Sequence, residues 1–121
     1  MCSTQYDALT SEFPEEVAAI KRLEETARHF ADRELPVQRL YALVQPSSLR
    51  TLALIMYRAS ESGLAERFFR VQSERRGGIG PDFSSIEDIP GEIYDSRIGE
   101  TIEVKPEQIK LFFRFPHGVH A

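Results

Sequence analysis

The feature that most constrains this chain is residues 46–71, PSSLRTLALIMYRASESGLAERFFRV, where a helix pattern stops at a glycine and a strand pattern begins. The run Leu52, Ala53, Leu54, Ile55, Met56, Tyr57 is too apolar to lie free in water. Leu49, Leu52, Ala53, Met56 and Ala59 recur at the three- and four-residue spacing that lines one face of a helix. Pro46 sits where a missing N–H costs little, and Ser47 or Ser48 can cap the first turn. Gly63 provides the stop, because only glycine takes the left-handed conformation after a helix without strain. Phe68, Phe69 and Val71 then bring strand formers, interleaved with Glu66, Arg67 and Arg70. A capped amphipathic helix followed at once by an aromatic strand demands a core shared by helices and a sheet.

At 121 residues the chain suits one domain with a closed hydrophobic core. With 41% apolar and 28% charged residues it reads as globular rather than disordered. No apolar run approaches the ~20 residues of a membrane span, and the first residues lack the basic start and apolar stretch of a secretory signal. A lone cysteine, Cys2, excludes an internal disulfide, so a cytoplasmic location and no membrane contact are expected. The charge is uneven. Residues 20–76 carry eleven bases against seven acids, and residues 77–121 carry four against eight. A basic centre with acidic ends argues against general affinity for nucleic acid but permits a local basic face.

Residues 1–13 read as a flexible arm, residues 14–116 as one domain, and residues 117–121 as a flexible tail. From 14 to 35 the pattern is one long amphipathic helix, with Val17, Ile20, Leu23, Ala27, Phe30 and Ala31 along one stripe. Its bland role is to cover the core; its sharper one is a dimer helix. A shorter helix follows over 37–44. After the strand at 66–73, SERRGGIGPDF (73–83) reads as a flexible loop. Ser84 and Glu87 match a capping box that opens a short helical turn. Residues 95–100 read as a turn, 101–104 as a short strand, and 108–115 as a strand whose alternation puts Ile109, Leu111, Phe113 and Phe115 on one face. The fold class expected is α+β: three N-terminal helices packed on a small antiparallel sheet.

This order of elements resembles a winged helix-turn-helix domain. The likeness rests on LVQPSSLRTLALIMYRASESGLAERFFRV (43–71), with QIKLFFRF (108–115) as the returning wing strand. The resemblance implies that the helix at 47–62 is the recognition helix and that residues 74–107 form an enlarged wing. Winged-helix domains serve both as DNA readers and as protein-binding modules, so the architecture alone does not choose.

Away from the expected core, the central helix shows Ser47, Arg50, Leu54, Tyr57 and Arg58, and the glycine segment adds Arg75 and Arg76. Arginines can hold phosphates or read guanine edges, and a serine at a helix N-terminus can bind a phosphate. That set supports a DNA-binding regulator using helix 47–62 and loop 75–80. Against it stand Leu54 in the reading face, no lysine from 22 to 104, and a sequence pI of about 5.4. Tyrosine, phenylalanine, leucine and arginine together suit an interface centre better. The expected function is therefore a non-enzymatic interaction or adaptor module for a protein partner, self-association included, with DNA binding as the alternative.

An enzyme is the remote alternative. His29, His117 and His120 lack neighbours that would complete a metal or catalytic site, and Cys2 is remote in sequence from any histidine. RRGGIGP lacks the Gly-Lys-Ser/Thr ending of a phosphate-binding loop. No cofactor or metal is expected.

Overall fold

In the computed structural model of the chain, residues 4–73 and 77–116 are described. Among them are four α-helices and six strands, so the class is α+β, with one helix more than expected. Four strands run in the order β1 (Glu34–Pro36), β6 (Ile109–Arg114), β2 (Glu66–Ser73), β3 (Gly77–Phe83), and β4 (Glu92–Asp95) pairs with β5 (Glu100–Glu103) as a separate antiparallel ribbon. The chain divides into two compact units, residues 1–66 with 113–121, and residues 67–112.

The first unit is mainly helical. Residues 4–12, expected as part of a flexible arm, form helix α1 (Thr4–Glu12), which buries Tyr6 and Leu9. That burial pushes the Tyr6 hydroxyl well above its usual titration range. A single turn of tight helix at Pro14–Glu16 leads into α2 (Val17–His29), which buries Ala19, Ile20, Leu23, Thr26 and Ala27. The helix does not run to 35. Pro36 disfavours helical geometry at Leu35, and Asp32 turns left-handed at φ 63°. The chain instead enters strand β1 (Glu34–Pro36), and the Asp32 N–H donates to the Phe115 carbonyl at 2.8 Å.

Helices α3 (Val37–Val44) and α4 (Leu49–Glu61) follow, joined by four residues. Side chains around α2 hold both ends of this joint. Arg22 donates through Nε to the Val44 carbonyl at 2.7 Å and through a terminal nitrogen to the Gln45 carbonyl at 3.0 Å, capping α3 where it ends. Glu16 accepts the Ser47 backbone N–H at 3.0 Å and the Ser47 hydroxyl as well. Those hydrogen bonds, the hydroxyl's first, hold the Glu16 carboxyl below its usual range. Ser48, not Ser47, is the N-cap of α4, accepting the Thr51 N–H at 3.1 Å.

The buried face of α4 is Leu52, Ile55, Met56 and Ala59. Leu49 and Ala53, expected inside, are exposed, and Ile55 takes the core position instead. At its far end, the Gly63 N–H donates to the Ser60 carbonyl and the Leu64 N–H to the Ala59 carbonyl. Gly63 has φ +81°, so this is the left-handed closure expected of a glycine stop, and it drives Leu64 into the core. Leu23, Leu40, Val44, Leu64 and Phe115 are wholly buried in this unit. Each such side chain stabilises the fold by ~1.5–3 kcal/mol relative to exposure.

The second unit is built from strands. Most of β2 (Glu66–Ser73) pairs antiparallel with β3 (Gly77–Phe83), so residues 77–83 are a strand rather than the flexible loop expected. The pairing steps from Phe69 with Phe83 to Val71 with Ile79, a bulge in β3 opposite Arg70. A tight turn at Ile86–Asp88, capped by Ser85 rather than Ser84, leads to β4 (Glu92–Asp95) and β5 (Glu100–Glu103). Val71, Ile79 and Ile93 form a small core with Phe83, Ile89, Ile102 and Val104 around it. The last strand is β6 (Ile109–Arg114).

Phe112, on the face of β6 opposite Leu111 and Phe113, stacks on Phe68, with centroids 5.5 Å apart and planes 8° from parallel. Arg70 lies over both rings, 5.4 Å from Phe68 and 4.8 Å from Phe112, and forms a two-pronged pair with Asp82 at 2.7 and 3.0 Å. The guanidinium stem crosses directly over Gly78, where an added Cβ would meet Arg70 Cδ at 2.9 Å.

Candidate interaction surface

Helix α4 positions the candidate surface. With one face committed to the core, the opposite face carries Arg50, Leu54, Tyr57 and Glu61, at the spacing of successive turns. Leu54 is 50% and Tyr57 52% exposed, and Leu49 at the N-terminal end is 58% exposed. Half-exposed leucine and tyrosine side by side on a capped helix form an apolar centre that the fold itself does not cover. The polar flank is Arg58. Its guanidinium is 2.7 Å from a Glu12 oxygen and 3.1 Å from a Glu61 oxygen, and these bonds, Glu12's foremost, raise its already high pKa. Arg50 is exposed and belongs to no salt bridge among the described residues.

Ser47 occupies the position from which a phosphate at the helix N-terminus would be bound, but Glu16 fills that role. Both Ser47 donors already point to its carboxylate. Glu12, Glu15 and Glu16 also line a groove of about 360 Å³ with Phe13, Pro14, Ser47 and Thr51, so the N-terminal approach to α4 is acidic. A second groove of about 350 Å³, between Leu9 and Glu12 of α1 and Arg58 and Glu61 of α4, is spanned by the ion pairs just described. A polyanion meets repulsion at both.

The structure therefore brings Arg50, Leu54, Tyr57 and Arg58 onto one exposed face and turns Ser47 to an intramolecular partner. Arg75 and Arg76 lie outside the described residues. Two carboxylates that shape the surface, Glu12 and Glu16, escaped sequence reasoning. Glu12 lay in a segment read as an arm, and Glu16 meets Ser47 across 31 positions, with no local signal. Glu61 was legible: it continues the Arg50, Leu54, Tyr57 stripe by one turn.

Among the described residues no group of three histidine, cysteine or acidic side chains is placed to hold a metal ion, and no helix is long and apolar enough to cross a membrane. Comparison with models of known protein families, with curated proteins and with solved structures finds nothing that matches this chain.

Proposed function

We propose that this chain is a small non-enzymatic interaction module, winged-helix-like in its order of elements, that binds a protein partner through the outer face of α4. The observation that carries the reading is the uncovered Leu54–Tyr57 centre on a helix whose opposite face is fully committed to the core. Removing such a patch from water favours association by roughly 25 cal/mol per Å² before ordering costs. Two features support a protein over a nucleic acid as the partner. Arg58 is already neutralised by two carboxylates, and the helix N-terminus is occupied by Glu16. The four-residue joint between α3 and α4 is of helix-turn-helix length and supports the winged-helix-like part of the reading.

The test is comparative affinity capture from the native host with the wild-type chain and with Leu54→Asp/Tyr57→Asp. A protein retained by the first and lost from the second, with both folded by circular dichroism, supports the reading. Retention of nucleic acid that Arg50→Ala abolishes overturns it in favour of DNA binding.

A further inference from the structure

The exposed stripe of α4 is self-complementary. Reversing the helix end for end about the midpoint of the stripe, between Ile55 and Met56, exchanges Arg50 with Glu61 and Leu54 with Tyr57. The same reversal exchanges Ala53 with Arg58, so each copy presents a side chain no larger than a methyl at one flank of the stripe. A surface that maps onto itself in this way, with unlike charges exchanged, is what a two-fold symmetric interface requires.

We infer that the partner seated on α4 is a second copy of this chain, with the two α4 helices antiparallel across a two-fold axis through the Leu54–Tyr57 centre; the inference rests on the reading of α4 as the binding surface. In that arrangement Leu54 of each copy packs on Tyr57 of the partner copy. Arg50 of each reaches Glu61 of the partner copy, giving two ion pairs at the ends of the apolar centre. The required groups are available in the single chain. Arg50 is exposed and in no salt bridge among the described residues. Glu61 spends one oxygen on Arg58, which Glu12 also holds, so its second oxygen can accept Arg50 of the partner copy. Arg50 and Glu61 are about 16 Å apart along the axis at 1.5 Å per residue, so both pairs flank the centre without straining the helix. Ala53 leaves room for helix axes to approach to ~8–10 Å.

Parallel pairing opposes the same charges, Arg50 to Arg50 and Glu61 to Glu61, so the charge pattern selects the antiparallel form. One helix face per copy buries less than the ~1,200 Å² of a stable complex. The dimer is accordingly weak and reversible, and concentration controls its population.

The experiment is sedimentation velocity of the full chain from ~10 μM to ~1 mM, spanning the affinity expected of so small an interface. The wild type should shift from monomer to dimer across that range. Arg50→Glu and Glu61→Arg should each weaken self-association by about tenfold or more, since each turns two attractions into two repulsions. Mixed in equal amounts, the two variants should pair with each other, because every end then meets its opposite. Leu54→Asp should abolish the dimer in all backgrounds. A wild type that stays monomeric at ~1 mM overturns the inference, and the capture assay with Leu54→Asp/Tyr57→Asp then judges the α4 surface separately. A dimer that forms but shows no rescue on mixing also overturns it, since the contact then lies elsewhere.

Discussion

Leu54 and Ile55 are adjacent apolar residues on α4, one half exposed and one wholly buried, and they offer a sharp test of which way the helix faces. Ile55→Ala removes three methylene equivalents at ~0.8 kcal/mol each, ~2.4 kcal/mol of transfer free energy. The cavity left behind raises the expected loss to ~3–4 kcal/mol. Leu54→Ala removes the same number of carbons from a site already about half in water, so at most ~1.2 kcal/mol is at stake. Alanine's slightly better helix propensity returns a few tenths, leaving ~0.5–1 kcal/mol. The two variants should therefore differ by ~2–3 kcal/mol. For 121 residues, with ~2.1 cal/mol/K of unfolding entropy per residue, 1 kcal/mol moves the midpoint by ~4 °C. Ile55→Ala should melt ~12–16 °C lower and Leu54→Ala ~2–4 °C lower, followed by far-ultraviolet circular dichroism. Urea titration should show unchanged slopes with shifted midpoints. Equal losses in the two variants would refute the reasoning, because Leu54 would then lie in a core and α4 would have no apolar outer face.

Three further outcomes are expected. Glu16 titrates below its usual range when folded, so its contribution to stability is fully present above the ordinary carboxylate range and is lost as pH falls through the folded value; Glu16→Gln should flatten that acid limb of a stability-versus-pH profile. Gly63→Ala forces a side chain into φ +81° and should cost ~1–2 kcal/mol in chemical denaturation, with Gly63→Asn milder. Arg70→Lys keeps the charge but loses the two-pronged Asp82 contact and the stack on Phe68 and Phe112, so amide exchange in β2 and β3 should speed up; unchanged rates would show that the cluster does not hold these strands.

Much of the local structure was legible. The glycine stop at 63, the strand at 66–73 and the final aromatic strand all follow from residue type and period, which act over a few positions. Elsewhere a distant partner outweighs local preference. Residues 4–12 look polar and loose, yet Tyr6 and Leu9 suffice to bury one face of a helix once a core exists to receive them. Residues 77–83 carry three glycines and a proline, yet they pair with β2 and are fastened by Arg70 to Asp82. The α4 surface was partly legible: the helical period groups Arg50, Leu54, Tyr57 and Arg58 away from the core, but their exposure and the engagement of Ser47 by Glu16 are set by tertiary packing.

By itself the sequence determined that α4 is amphipathic, where it ends, and that an aromatic strand follows, because capping, glycine closure and side-chain period are set by neighbours along the chain. Only the tertiary structure decided that Ile55 rather than Leu49 and Ala53 faces the core, and that Glu12 and Glu61 neutralise Arg58. It alone placed Glu16 on the Ser47 donors. These outcomes depend on which surfaces meet in space, and an apolar period wide enough to fit two faces cannot choose between them.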